Sequence, residues 1–370
     1  MTRALVNGLL VLVLLVSAAL GQPDGPRGIS VMGVDSEEGG GPALQAAALA
    51  PVAIGPFTVS GQPVESWHTC FERELDAPSF YNFESYQQYG SFKHRFVNEG
   101  TCYGISMFTL RYFQWFILPH LLTDAQLAAA RPRVLPGYAR QVARDMGLPG
   151  WVLESPTSDG SGGRLTARQR AARIAPWRLR TLLTGKADLT RALGQTIEKI
   201  AKKECAMMFD NQRLLVNLGS RIAQFIDRTI FRRANRDTTM GRLFFGVGGF
   251  GLMKQYISDT SLGAFEVGFF GSKLKPMWGH SVVGFRITRF QATKRGSAGT
   301  FEAYRVDLYD SNDPTNTSDD CLWFFPSEQA FAPSKGYAEF YDGENPLLPK
   351  GKEFLLSAQL GPSADPERGR

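Results

Sequence analysis

The sequence predicts an α+β protein in which a helix packs on an antiparallel β-sheet and a large helical insertion separates the two in the chain. Three observations carry that expectation. Ile105, Phe108, Leu110, Tyr112, Phe113, Phe116 and Ile117 place bulky apolar groups around most of one helix, the pattern of a helix buried on all sides. Residues 124–240 read as helices joined by loops. After Gly263 the hydrophobic period falls to two, with turn formers between the runs.

Each element follows in chain order. Met1-Thr2-Arg3 is a short positive start, Ala4 to Leu20 is apolar apart from Asn7, Gly8 and Ser17, and Ala19-Leu20-Gly21 offers small residues where a signal peptidase reads. This predicts a signal peptide over residues 1–21, cut before Gln22, and therefore a secreted or periplasmic protein. The rival is a retained anchor, against which stand the short apolar stretch and the Gln-Pro-Asp-Gly-Pro that follows it. Residues 22–62 hold turn formers and small residues without sustained periodicity, as in a flexible linker or pro-segment. The composition favours the linker, and folded sequence is expected over 63–360, with a polar, disordered tail at 361–370.

At 370 residues, 43% hydrophobic, 12% aromatic and 21% charged, the chain can bury a substantial core, which excludes disordered, collagenous and small disulfide-scaffold classes. The net charge of +6 is uneven. Residues 131–242 carry 22 Lys/Arg against 9 Asp/Glu, an excess of 13, so the rest of the chain stands at −7. Arg228, Arg232, Arg233 and Arg236 fall at helical spacing within that segment. A solvated helix face is the commonest meaning of such a cluster; the alternative is attraction to an anionic surface or polymer. No recognition motif accompanies it, so no nucleic acid is expected. Tyr103 to Leu122 is long and apolar, but Arg111, Gln114 and the Pro119-His120 end fit a buried helix, and no integral membrane span is expected after signal cleavage.

Gly246-Val-Gly-Gly-Phe-Gly251 satisfies G-x-G-x-x-G but lacks the preceding strand and surrounding βαβ unit, so it is not read as a dinucleotide site. No cofactor is expected. Phe265–Phe270, Ser281–Phe290 and Phe301–Tyr309 are strand candidates, 294–299 a turn, and Cys321–Phe325 a fourth strand.

Four cysteines, Cys70, Cys102, Cys205 and Cys321, in an exported chain read by default as two disulfides. No CxxC or HxxxH pair occurs, and His68 with Cys70 is too weak a signal for a metal site, so no metal is assigned. His68, His94 and His120 sit in ordinary aromatic or apolar settings; His280 differs by its surroundings.

Cys102 follows Asn98-Glu99-Gly100-Thr101 and opens the buried helix, where unsatisfied N–H groups and the positive dipole end stabilise a thiolate. His280 heads a strand in Trp278-Gly279-His280-Ser281-Val282-Val283-Gly284, and Asp310 ends the next in Leu308-Tyr309-Asp310-Ser311-Asn312-Asp313-Pro314. With a turn between the strands, both fall at one end of the sheet. A thiol needs a base, and an imidazole needs an orienting carboxylate or amide, which Asp310 or Asn312 supplies.

Gly100-Thr101-Cys102-Tyr103, then Gly279-His280 at a strand head, then Tyr309-Asp310-Ser311-Asn312, resembles the papain-like cysteine peptidase superfamily in its broad bacterial sense. The likeness covers about thirty residues of local motif. It implies a papain-like fold and a thiol hydrolase with Cys102 as nucleophile, His280 as base and then acid, and Asp310 as orienter. Asn312 shapes the turn. Two departures stand out: Glu99 replaces a cysteine of the papain signature, and Phe96 occupies the position of the oxyanion-hole glutamine, for which Asn98 is the substitute donor beside the Cys102 N–H. The interval from Cys102 to His280 is 178 residues, longer than the papain spacing of about 130–150, and the helical insertion absorbs the difference.

The resemblance implies a peptidase acting on a protein or peptide substrate. Transglutaminase-like or deamidase chemistry uses the same three residues. The competing class is a non-catalytic binding protein on the same fold, its basic lobe docked to an acidic partner and Cys102 tied in a disulfide; the state of the four cysteines discriminates the two. If Cys102 is catalytic, at most one disulfide joins the remaining three.

Overall fold

The computed structural model describes residues 49–68, 70–82, 102–130, 135, 137–184, 198–205, 247–248, 263–270, 279–315, 320–328, 330–333 and 355–359. Over these the protein is α+β, with a nine-stranded antiparallel sheet and several helices. The strands are β1 (Leu49–Ile54), β2 (Phe57–His68), β3 (Val247–Gly248), β4 (Phe265–Phe270), β5 (Gly279–Lys294), β6 (Thr300–Tyr309), β7 (Cys321–Phe325), β8 (Ala330–Pro333) and β9 (Leu355–Gln359).

β5 is the spine of the sheet because, at sixteen residues, it is long enough to serve three partners. Its first part pairs with β4, from Phe270↔Gly279 to Phe265↔Gly284, and its second part pairs with β2, from His68↔Arg286 to Phe57↔Lys294. β6 runs along the other edge of β5 through the turn at 295–299. The β5–β6 register shifts between Gly284 and Arg286, at the point where β5 changes partner on its opposite edge. A bulge there lets one strand bend between two neighbours. Gly284 is needed at that bend, since a Cβ would meet the buried Phe265 ring at 2.5 Å.

The expected strands at 265–270, 281–290, 301–309 and 321–325 all lie within observed ones. The expectation that folding begins at residue 63 is corrected. Residues 49–62 form β1 and much of β2, and Phe57 and Val59 are buried among Phe290, Ala292, Ala303, Trp323 and Phe325. Two short apolar runs interrupted by Gly55, Pro56, Gly61 and Pro63 look like a linker, yet a positive φ at Gly55 makes the hairpin turn and the edge of β5 supplies the missing partner. Residues 1–48, which carry the expected signal peptide and the rest of the expected linker, lie outside the described residues.

The helices are α1 (Arg73–Asp76), α2 (Cys102–Tyr112), α3 (Leu118–Leu121), α4 (Asp124–Ala129), α5 (Gly137–Asp145), α6 (Ala167–Ile174) and α7 (Leu179–Thr184), with a further helical stretch over 198–205. α2 packs on β4 and β5 and is buried on all sides, as its sequence predicts: Ile105, Phe108, Leu110 and Tyr112 are each at most 1% exposed. It continues through a π-helical turn, Phe113–Ile117, into α3. Pro119 lacks the N–H that an α-helical bond would use, and the wider turn just before it accommodates that loss. The helix thus runs through Pro119 and His120 to Leu121 rather than stopping at them.

The expected helical insertion over 124–240 shows, where it is described up to 205, helices joined by loops, the longest described loop running over 154–166 with a bridge between Ser158 and Arg164. Capping boxes start α4 at Thr123/Gln126 and α6 at Thr166/Gln169. The insertion is fastened to the rest by buried arginines. Arg178 binds Asp76 through Nε and Nη2 at 2.8 and 2.5 Å and reaches Glu72 at 2.9 Å; Arg170 binds Asp124 and the Leu122 carbonyl. Arg228, Arg232, Arg233 and Arg236 lie outside the described residues. Of the glycine-rich stretch, Val247–Gly248 forms a short strand paired with β9. Among the described residues no helix is long and apolar enough to cross a membrane.

Candidate active site

Three elements converge on one end of the sheet. α2 brings Cys102 at its first residue, β5 brings His280 at its second, and β6 delivers Asp310 immediately after its end. All three are buried, at 8%, 4% and 6% exposure. Antiparallel pairing explains the convergence of the last two: Val283 faces Tyr309 across the β5–β6 ladder, so the start of β5 and the end of β6 are neighbours.

His280 Nε2 lies 2.6 Å from Asp310 Oδ1. With Nε2 committed to the carboxylate, Nδ1 is the ring nitrogen left for the thiol of Cys102, the imidazole's other hydrogen-bond partner. Burial by itself would push the imidazole toward its neutral form. The Asp310 carboxylate, by charge and hydrogen bond, and then Cys102 outweigh that penalty and hold His280 well above the ordinary histidine range. The site therefore favours an imidazolium held by the Asp310 carboxylate.

Asp310 is positioned by a strapped turn. The Asn312 N–H donates to Asp310 Oδ1 at 2.7 Å, and the Asn312 side-chain oxygen accepts from Asn82 Nδ2 at 2.8 Å. Asn82 also donates its backbone N–H to the Ser311 carbonyl at 2.8 Å. Arg180 ties the Pro314 carbonyl to those of Ala77 and Pro78, and the Tyr309 hydroxyl donates to Pro78 as well. The Asp-Ser-Asn-Asp-Pro sequence is a turn for local reasons, but its orientation is set by the segment 77–82 and by the helical insertion through Arg180. Asn312 thus acts on Asp310 through its backbone. Asn98, the expected oxyanion donor, lies outside the described residues.

Sequence reasoning missed three further groups. Glu266 on β4 is 2% exposed, and its Oε1 accepts from Ser281 Oγ at 2.6 Å, beside His280 in the chain. Burial pushes Glu266 up to about 7, against the pull of Ser281 and of the His280 charge. A lone acid inside Phe265-Glu-Val-Gly-Phe-Phe270, a strand otherwise apolar, was the available signal. Asp320 is also buried and is pushed up to about 6, first by burial and then by the charge of Asp310. Asn82 was invisible, because nothing local distinguishes it from a loop asparagine.

Cys70, Cys102, Cys205 and Cys321 form no disulfide, which corrects the default expectation of two. The physical reason is placement: Cys205 is wholly buried in the helical core around α2, Cys321 begins β7 in the sheet core around Phe57, and Cys102 faces His280. Among the described residues no set of His, Cys, Asp and Glu gathers as a metal site. No family model, no curated protein and no solved structure matches the chain.

Proposed function

We propose that this protein is an exported cysteine hydrolase of papain-like type, a peptidase that cleaves amide bonds through Cys102, His280 and Asp310. The observation that carries the reading is the buried chain from Cys102 at a helix start to His280 and on to Asp310 at 2.6 Å. A thiol, an imidazole held charged and an orienting carboxylate are the parts that acyl transfer needs. The absence of a disulfide at Cys102 also favours an enzyme over a binding protein that ties this thiol up.

The steps follow from the geometry. The imidazolium–thiolate pair forms when His280 takes the Cys102 proton. The thiolate attacks the scissile carbonyl carbon, a C–S bond forms, and the oxyanion is held by the Cys102 N–H at the helix start. Collapse breaks the C–N bond while His280 gives its proton to the leaving amine, leaving a thioester. Water then attacks, His280 takes its proton, and the C–S bond breaks to release the acid and return the thiol. Asp310 keeps Nε2 occupied throughout, so that Nδ1 faces the reaction.

The test is intact-mass labelling with iodoacetamide at pH 6, where an ordinary thiol is under about 1% thiolate and reacts slowly. Fast labelling at Cys102 alone, abolished in His280→Ala, is expected. No labelling, or labelling indifferent to His280, overturns the proposal.

A further inference from the structure

Beyond the bulge, β5 and β6 carry a charged cluster that the catalytic sequence above does not use. Asp307 faces Arg286 across the ladder and lies two residues from Arg305 on its own strand, so the three side chains stand on one face of the sheet. Arg286 Nε donates to Asp307 Oδ2, and Arg305 Nε donates to Asp307 Oδ1 at 2.6 Å. The carboxylate is buried, at 7% exposure, whereas the side chains of Arg286 and Arg305 are 47% and 22% exposed. One buried carboxylate thus fixes two guanidinium groups, one at each oxygen, at the border of solvent.

An ordinary cross-strand pair matches one cation with one carboxylate. Here two cations share one carboxylate, which leaves a surplus of one positive charge. The neighbouring register positions on this face do not cancel it. β2 places Ser66 and His68 opposite Thr288 and Arg286, and β7 places Cys321 and Trp323 opposite Asp307 and Arg305; none of these carries a carboxylate. The Ser66 and Thr288 hydroxyls, 3.2 Å apart, continue the polar row next to Arg305. A guanidinium is a planar fork of N–H donors, and an arginine that gives Nε to a carboxylate keeps its two Nη groups for another acceptor. For Arg286, nearly half exposed, that fork stands at the surface.

We propose that Arg286 and Arg305, set in place by Asp307, form a binding site for an oxyanion, the carboxylate or phosphate group of a small molecule. The fork of Arg286 takes two oxygens of the anion side by side, and Arg305 supplies the second positive charge. Asp307 holds both planes beforehand, so little side-chain freedom is lost on binding. A single bound anion neutralises the surplus charge. The site uses no member of the catalytic triad and does not depend on the hydrolase reading.

The experiment is an NMR titration of the full chain labelled with 15N-arginine, with the Arg286 and Arg305 Nε–H signals identified by their loss in Arg286→Lys and Arg305→Lys. Inorganic phosphate and succinate are added separately, at constant ionic strength set by sodium chloride so that general screening stays fixed. In the wild type both signals should shift together and saturate at one midpoint with at least one of the two anions, and the tighter of the two tells a phosphate from a carboxylate ligand. In Arg286→Gln the Arg305 signal should need about tenfold more anion or greater, as expected for the loss of a charge-assisted pair of bonds. Asp307→Asn separates a built site from a diffuse patch of charge: it adds one positive charge, so a patch would bind more tightly, whereas released guanidinium groups bind more weakly. Signals that move with neither anion, or that drift in proportion to its concentration without saturating, overturn the proposal. So does an unchanged midpoint in Arg286→Gln or a tighter one in Asp307→Asn. The wild-type titration decides the matter even where one of these two variants does not fold.

Discussion

Replacing Asp310 with asparagine removes one charge and little else. Asp310 Oδ1 receives both the His280 ring at 2.6 Å and the Asn312 N–H at 2.7 Å, and an asparagine oxygen can occupy the same place and accept the same two bonds. What is lost is the carboxylate beside a buried imidazolium. An opposite charge in direct contact is worth about 1–3 pKa units, so a mid-range loss is about 2 units, or about 2.7 kcal/mol and a factor of about 100 in the imidazolium-to-imidazole ratio. Burial, which opposes the charged ring, then meets less resistance, and His280 falls toward or below the ordinary histidine range. The assay is the pH dependence of Cys102 alkylation together with the His280 ring titration, in wild type and Asp310→Asn, with circular dichroism confirming the fold. At neutral pH the alkylation rate should fall by about 10–100-fold and the ring midpoint by about 2 units. Asp310→Ala should be worse, because it also strands the Asn312 N–H and loosens the turn. If Asp310→Asn titrates and alkylates like the wild type within a factor of about 2, well under the tenfold that one pKa unit represents, the carboxylate is not what holds the imidazolium.

Three further outcomes follow from the packing. Glu266 titrates at about 7 in the fold against an ordinary value of 4.5, so its contribution to stability is full below pH 4.5 and is lost as pH rises through 7. The stability of wild type relative to Glu266→Gln, by urea denaturation, should therefore fall by about 3 kcal/mol between pH 4 and pH 8, and a difference independent of pH would refute this. Gly284→Ala drives a methyl into the Phe265 ring and should cost about 1–3 kcal/mol, part of which Phe265→Leu restores; no loss on its own would show that β4 and β5 can move apart at that point. Arg178→Met strands the Asp76 carboxylate, whose side chain is fully buried, and should cost about 3–5 kcal/mol in chemical denaturation, with Asp76→Asn added to it recovering much of the loss. Arg178→Met with wild-type stability would mean that the insertion is not fastened through this pair.

Periodicity and turn chemistry determined the strands from Phe265 to Phe325, the buried helix from Cys102, and the turn at 294–299, because each of those elements shows its pattern within its own residues. They also placed Cys102, His280 and Asp310 at element ends, which is local information. The N-terminal hairpin was illegible for the opposite reason. Val52, Ile54, Phe57 and Val59 are too few and too broken by glycine and proline to declare a strand, and only the free edge of β5, more than two hundred residues away, turns them into one. The same holds for Glu266 and Asn82: each is an unremarkable polar residue until β4 is laid beside β5 and the segment 77–82 is strapped against the turn after β6. Sequence alone thus determined where Cys102, His280 and Asp310 stand on the elements that carry them. Tertiary structure alone decided which groups touch and what each charge feels, because burial and Coulomb interactions act through space and depend on neighbours that the chain order does not reveal.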